Sequence, residues 1–281
     1  MTRISFVNGN FIDHDKAFVH IEDRGFQFAD GAYEVILYSN NKLIDDKPHI
    51  NRLFRSLGEI NIKHQLSYEY IIKNIVDLFN KNNLSDGFVY MQVTRGATNR
   101  VPFCPKELDV TVTMTVSQTK TYTHEEFING LSLVTMDDIR WHRCDIKTTG
   151  LLASTLCNQK AKDLGFDDAL FVRNQVITEA TYSNFFVIDN DNNLVTKPSD
   201  NNILEGITRN RIIAIAKENK FNVIEKNFDL SFALSAQEAF LTSSTLGIRP
   251  VSKINNFAIG RENSRNISLK LSSLYKEFCK N

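Results

Sequence analysis

The stretch Asp145-Ile146-Lys147-Thr148-Thr149-Gly150-Leu151-Leu152 sets a lysine between a strand-like segment, Leu131 to Asp137, and a helix-like one from Leu151 to Leu164. An amine at such a junction can point into a cleft and, once burial lowers its pKa, form an imine with a carbonyl. Most lysines are solvated surface charges, so Lys147 needs company before it means chemistry. Four segments supply it. Glu22 to Glu34 crowds charges and aromatics into a turn that leads to a strand, and Val93 to Arg100 sets Arg95 and Arg100 on a loop after an apolar strand. Val176 to Phe186 holds a carboxylate, Glu179, among strand residues. Leu241 to Gly247 is a hydroxyl-rich loop at a strand end, suited to an anion.

Other chemistries lose their support. The 12 glycines form neither G-x-G-x-x-G nor G-x-x-x-x-G-K, and G-x-S-x-G and H-E-x-x-H are missing. His14, His20, His49, His64, His124 and His142 are scattered without metal-ligand spacing. Rossmann, P-loop, serine-hydrolase and zinc readings, and any metal site, are therefore not expected. Lys+Arg and Asp+Glu both number 33, which argues against nucleic-acid or anionic-membrane partners. Cys104, Cys144, Cys157 and Cys279 show no C-x-x-C spacing and read as free thiols. With no signal-peptide-like start and no membrane-length apolar run, the expectation is a soluble, cytoplasmic protein.

The elements that must position these residues are legible by period. A hairpin is expected at Ile4 to Val7, Asn8-Gly9 and Asn10 to Ile12, and a second at Tyr33 to Tyr38, Asn40-Asn41 and Lys42 to Ile44. Pro48 starts a helix with Ile50, Leu53, Phe54, Leu57 and Ile60 on one face, and Ser67 caps another carrying Ile71, Ile72, Ile75, Leu78 and Phe79. Strands follow at Phe88 to Thr94 and Val110 to Val116. The second half has strands from Leu131, at Ala169 to Val172, Phe185 to Ile188 and Ala239 to Thr242. Its helices follow Gly150, run from Ile207 to Lys220, and close the chain with Ile267, Leu271, Leu274 and Phe278 on one face. At 281 residues two domains are favoured. Residues 1–118 form a smaller N-terminal α/β domain, the polar residues 119–124 a linker, and 125–281 a larger C-terminal α/β domain.

Together these segments resemble the fold-type IV pyridoxal-phosphate (PLP) enzymes, the class IV aminotransferases, over nearly the whole chain and with the motifs in family order. Within the family the likeness is greatest to bacterial D-amino-acid aminotransferases, through Asp23-Arg24-Gly25-Phe26-Gln27-Phe28 and Asp138 to Lys147. The resemblance implies a two-domain α/β (α+β) fold with PLP in the cleft between the domains. Lys147 matches the lysine that holds PLP as an imine and later moves the α-proton as base and acid. Glu179 matches the acid facing the pyridine nitrogen, where a carboxylate favours the protonated ring. Arg52 matches the arginine that grips the cofactor phosphate, Ile207 and Thr208 at a helix start and Ser244 complete that cup, and Ser243 lies beside the ring.

Tyr33 and Arg100 match parts of the pocket for the substrate α-carboxylate. In the family that arginine loop reaches the partner subunit's active site, so a homodimer is implied. Two positions after Arg100, where D-specific members carry histidine, stands Pro102, which leaves the pocket incomplete or rebuilt from residues such as Arg24. Tyr182 likewise replaces a small hydroxyl residue near the cofactor. The expected activity is transfer of the amino group of a D-amino acid, D-alanine-like, to a 2-oxo acid such as 2-oxoglutarate. A branched-chain L-amino-acid aminotransferase, an (R)-amine transaminase and an aminodeoxychorismate lyase are the alternatives of the same fold. A non-catalytic PLP carrier is disfavoured, since neither Lys147 nor Glu179 is needed merely to fold.

Overall fold

Asn8 and Gly9 take φ of 48° and 86° and join β1 (Ile4–Val7) to β2 (Asn10–Asp13). That left-handed pair is the backbone a two-residue hairpin turn demands. In the computed structural model, which describes residues 3–105, 107–120, 122–260 and 265–280, this hairpin edges a six-stranded antiparallel sheet. The other strands are β3 (Gly31–Ser39), β4 (Lys42–Leu43), β5 (Gly87–Thr94) and β6 (Thr111–Ser117), in the order β2-β1-β6-β5-β3-β4.

Helices cover one face of this sheet. Along β3, Ala32, Glu34, Ile36 and Tyr38 alternate toward α2 (Asp46–Glu59) and α3 (Tyr68–Lys81), whose Ile50, Leu53, Leu57, Ile71, Ile75, Leu78 and Phe79 close the core. The helix expected to start at Pro48 starts at Asp46. Pro48 sits in its first turn, where a missing N–H costs nothing, and Asp46 Oδ1 accepts the Lys47 N–H at 2.7 Å. Ser67 does cap α3, accepting the Tyr70 N–H at 3.1 Å. A five-residue helix, α1 (Arg24–Phe28), occupies what reads in sequence as a turn. Asp23 caps it, and Gly25 lies so close to Thr94 that an added Cβ would sit 2.2 Å from Thr94 Cγ2.

The chain divides into two compact units, residues 1–120 with 146–150, and residues 121–145 with 151–281. The five-residue return carries Lys147. Within the expected linker, Thr121 lies outside the described residues, while Thr123 and Glu126 form a capping box on α4 (His124–Asn129).

The second unit is built on a mixed sheet. Its strands are β7 (Leu131–Asp137), β8 (Asp168–Arg173), β9 (Val176–Ala180), β10 (Asn184–Ile188), β11 (Leu194–Thr196), β12 (Val223–Glu225), β13 (Glu238–Ser243) and β14 (Gly247–Ile254). The order is β12-β11-β10-β13-β14-β7-β8-β9, with β15 (Phe257–Ala258) paired to β14. β7 runs parallel to both β8 and β14, and α5 (Leu152–Asp163) follows it and packs on β7 and β8. α6 (Ile207–Glu218) packs on β13, and α8 (Asn266–Lys280) on β13, β14 and α6. The buried stripe of α8 is Ser268, Leu271, Ser272, Tyr275 and Cys279; Ile267, Leu274 and Phe278, expected to share the inner face, are half-buried at its margin. A short helix, α7 (Leu230–Leu234), completes the unit. No helix among the described residues is long and apolar enough to cross a membrane.

Candidate active site

In the first unit the return segment fastens to the free side of β3. Tyr33 N–H donates to Lys147 O at 3.0 Å, Thr149 N–H donates to Gly31 O at 3.0 Å, and Ala32 bridges Thr148. Thr149 Oγ1 also donates to Ala29 O at 2.9 Å. Ser56 Oγ of α2 accepts the Lys147 N–H at 3.3 Å, so the lysine backbone is held on both sides. Its Nζ lies 4.1 Å from the centre of the Tyr33 ring, which stacks on Tyr90 at 5.4 Å. An ammonium over an aromatic face is attracted to it. Two expected site residues, Tyr33 and Lys147, are thus brought together.

Arg52 is nearby but differently engaged. Its Nε and Nη2 donate to the two oxygens of Glu34 at 2.7 and 2.8 Å, and His49 Nδ1 lies 2.7 Å from Glu34 Oε2. His49, Arg52 and Ser56 fall at one-turn spacing on α2, so a single helix face addresses both Glu34 and the lysine. Glu34 is fully buried. Burial pushes its pKa up, but the charge and hydrogen bonds of Arg52, then His49, outweigh it and hold the carboxyl at about 2. Burial pushes the His49 pKa down, against the pull of the Glu34 charge and hydrogen bond.

Arg100 is exposed and stacks on Phe28, its guanidinium 4.7 Å from the ring centre; Arg24 lies over the same ring at 4.6 Å. Arg24 is buried, with Nε on Asp30 Oδ2 at 2.7 Å and Nη1 on Val101 O at 2.8 Å. Arg95 forks onto the same Asp30 at 2.7 and 3.0 Å. The Arg24 charge is therefore met inside its own unit.

In the second unit Glu179 is buried on β9. Oε1 accepts Arg140 Nη1 at 2.5 Å and the Leu204 N–H at 3.0 Å, and Oε2 accepts Asn184 Nδ2 at 2.9 Å. Burial raises its pKa, and the Arg140 charge opposes that rise without cancelling it. Asn184 Nδ2 also donates to Leu204 O at 2.8 Å, clamping the chain that enters α6. Gly206 is required there, because a Cβ would fall 2.0 Å from Asn184 Oδ1. It is the N-cap of α6, where no side chain caps the helix, and Ile207 and Thr208 form the first turn. Open N–H groups and the helix dipole at that end suit a phosphate.

Ser243 ends β13, and Ser244 opens the turn to β14. Ser243 Oγ accepts the Leu246 N–H at 3.3 Å and lies 3.5 Å from Thr245 Oγ1. Asn184 pairs with Thr242 across the sheet, so the β10–β13 pairing links the Glu179 clamp to this hydroxyl loop. Sequence reasoning passed over Arg140 and Asn184, although both lie in segments it singled out. The spacing Asp138-x-Arg140 was the available signal, since two charges so placed can pair locally. The donor set of the second unit, a buried acid beside an uncapped helix start and a serine turn, fits the ring nitrogen and phosphate of PLP. Among the described residues no group of three or more His, Cys, Asp or Glu could hold a metal.

Comparison with known proteins bears on this arrangement. The family model described as amino-transferase class IV matches residues 31–254. The D-alanine aminotransferase of Listeria monocytogenes serotype 4b is 36% identical over 273 residues, spanning 96% of this chain and 94% of that protein. That of Bacillus licheniformis is 37% identical over 253 residues, spanning 90% and 89%. Among solved structures, the branched-chain aminotransferase of the archaeon Thermoproteus uzoniensis with norvaline superposes with a TM-score of 0.88. It is 22% identical and covers 100% of this chain and 96% of its own, a likeness of fold.

Two outcomes follow from the geometry. Glu34 is ionised more readily folded, at about 2, than at its ordinary 4.5, so its contribution is complete above about pH 4.5 and lost as pH falls toward 2. Glu34→Gln should cost about 3–5 kcal/mol at pH 7 in urea titrations, and the gap to wild type should narrow below pH 4.5. A gap that stays constant down to about pH 3 would refute the ionised pair. Gly206→Ala must displace Asn184, costing about 1–3 kcal/mol, with faster loss of PLP on dialysis. Unchanged melting and PLP retention would show that the contact relaxes freely.

Proposed function

Because the chain belongs to the class IV aminotransferases, which use PLP, we propose that it moves the amino group of a D-amino acid, D-alanine-like, to a 2-oxo acid such as 2-oxoglutarate. The observation that carries this reading is Lys147, its backbone hydrogen-bonded to Tyr33 and Ser56 and its amine laid over the Tyr33 ring, in a chain 36% identical to a D-alanine aminotransferase along nearly its whole length. When bound, PLP supplies a positively charged ring that accepts the electron pair left at the substrate Cα.

The rest falls to the chain's own side chains. Lys147 Nζ takes the proton from Cα as a base and returns one as an acid. Its backbone, hydrogen-bonded to Tyr33 and Ser56, anchors that amine, and the Tyr33 face limits where it can swing. Glu179 would face the ring nitrogen. The N–H groups of Ile207 and Thr208, and Ser244, would hold the phosphate together with Arg52, whose Nε and Nη2 are shared with Glu34, and Ser243 would lie beside the ring. Tyr33 and Arg100 receive the substrate carboxylate, and the stacking of Arg100 on Phe28 restrains a guanidinium on an otherwise exposed loop. The branched-chain reading is weaker, since the solved structure that suggests it is 22% identical and shares the fold.

We read the working form as a cytoplasmic homodimer. Phe18, Val19, Ile21, Phe26 and Phe103 are all exposed, on segments linked by Arg24 N–H to Gly96 O and Thr98 N–H to Glu22 O. So much exposed apolar surface on paired loops suits a partner. Four free cysteines suit a reducing compartment.

D-alanine should shift the absorption of the PLP-loaded protein where L-alanine does not; a stronger response to L-valine would overturn the stereochemical assignment. Lys147→Ala should lower turnover by roughly 10²–10⁴-fold or more while circular dichroism stays unchanged. Persisting turnover would remove the lysine from its role. Sedimentation should give a single species of twice the chain mass, and a monomer that turns over D-alanine would exclude the dimeric site.

A further inference from the structure

We infer that Arg140 is a positioning residue, whose guanidinium keeps the Glu179 carboxylate anionic and oriented so that the proton between Glu179 and a bound ring nitrogen rests on the ring. This rests on the reading of Glu179 as the acid facing PLP, and it assigns a role to a residue that need not touch the cofactor.

The guanidinium has little freedom. Asp138, just past the end of β7, accepts Arg140 Nε through Oδ1 and Nη2 through Oδ2, both at 2.8 Å. Arg140 Nη2 also donates to Asn202 O at 3.2 Å, and the group lies 4.6 Å over the Phe171 ring of β8. What these contacts leave is Nη1, and it donates to Glu179 Oε1 at 2.5 Å. Asp138 is itself held by Thr178 Oγ1 at 3.1 Å and by Arg173 at 3.1 Å. Arg173 also donates to Arg140 O at 2.9 Å, tying the loop back to β8.

The charges therefore alternate along one line: Glu179, Arg140, Asp138, Arg173. The other groups facing Glu179 are neutral donors, Asn184 Nδ2 and the Leu204 N–H. Burial pushes the nearby Cys144 thiol up to about 11, so it adds no charge at neutral pH. Arg140 is thus the cation that offsets the cost of an ionised Glu179 away from water, and the side chains of both are nearly buried. Remove it and the carboxylate becomes the stronger base, so the proton shared with a ring nitrogen moves onto the carboxyl oxygen. The ring is then neutral and a poorer acceptor of electrons.

The test uses intact protein loaded with PLP carrying ¹⁵N at the ring nitrogen, without substrate, and follows the ¹⁵N shift with pH. Wild type should keep the protonated-ring shift through neutral pH. In Arg140→Gln the ring should lose its proton about 1–3 pH units lower, and Arg140→Lys, which keeps the charge without the fork, should fall between. Glu179→Gln is the reference. If it moves the ring titration and Arg140→Gln does not, the inference is overturned while the reading of Glu179 stands. If Glu179→Gln moves nothing, both fall. Should Arg140→Gln not yield folded protein, an Arg140→Lys titration identical to wild type overturns the inference.

Discussion

A carboxylate taken out of water loses several kcal/mol of hydration unless cations and N–H groups replace the solvent. Each unit buries a glutamate, Glu34 in the first and Glu179 in the second, and builds its surroundings around that demand. In the first unit Glu34 gathers Arg52 and His49. Because they share a helix face with Ser56, fixing Glu34 also fixes the contact under the Lys147 N–H. In the second unit Glu179 gathers Arg140, Asn184 and Leu204, and the same contacts close the entrance to α6. Solvating an ion and fixing the backbone beside it, at Lys147 or at the entrance to α6, are here one act of packing.

The two acids are nevertheless tuned in opposite directions. Glu34 receives both prongs of Arg52 and falls to about 2. Glu179 receives one nitrogen of an arginine that Asp138 already occupies with two others, and its pKa stays raised. The first is a permanent anion that locks a helix to a strand. The second is under-neutralised, and a further positive group brought to Oε2 would be welcomed there. Burial alone would have made the pair alike; the arithmetic of shared guanidinium nitrogens makes them differ.

Much of this was legible in the residues. Asn8-Gly9 announced its hairpin, Ser67 its helix, and alternation along Tyr33 to Tyr38 its strand, because each signal is local. Lys147, Glu179 and Tyr33 drew notice from their segments, and Arg52 only through the family resemblance. β14 escaped because Pro250 interrupts its pattern; the strand tolerates the missing N–H since pairing to β7 begins only at Val251. α1 escaped because five residues are too few to show a helical period. The partner of Arg52 could not be read at all. Glu34 lies 18 positions away on another element, and no local spacing joins them. Asn184 was hidden in the same way, since its importance lies in what Gly206 leaves room for.

The lysine segment is, in backbone terms, a three-residue strip closing the open border of β3. β5 pairs the other side of that strand from Gly31 to Tyr38, and β4 reaches only Tyr38 and Ser39. Thr149 meets Ala29 across 120 positions of chain, so this closure is among the most entropically demanding in the first unit and must await the synthesis of much later sequence. Until then a nascent first unit presents unsatisfied N–H and C=O groups beside Tyr33, a template for unwanted strand addition. Residues 147–149 therefore act as a stopper for a sticky margin as well as carrying the Lys147 amine, and substitutions among them endanger solubility.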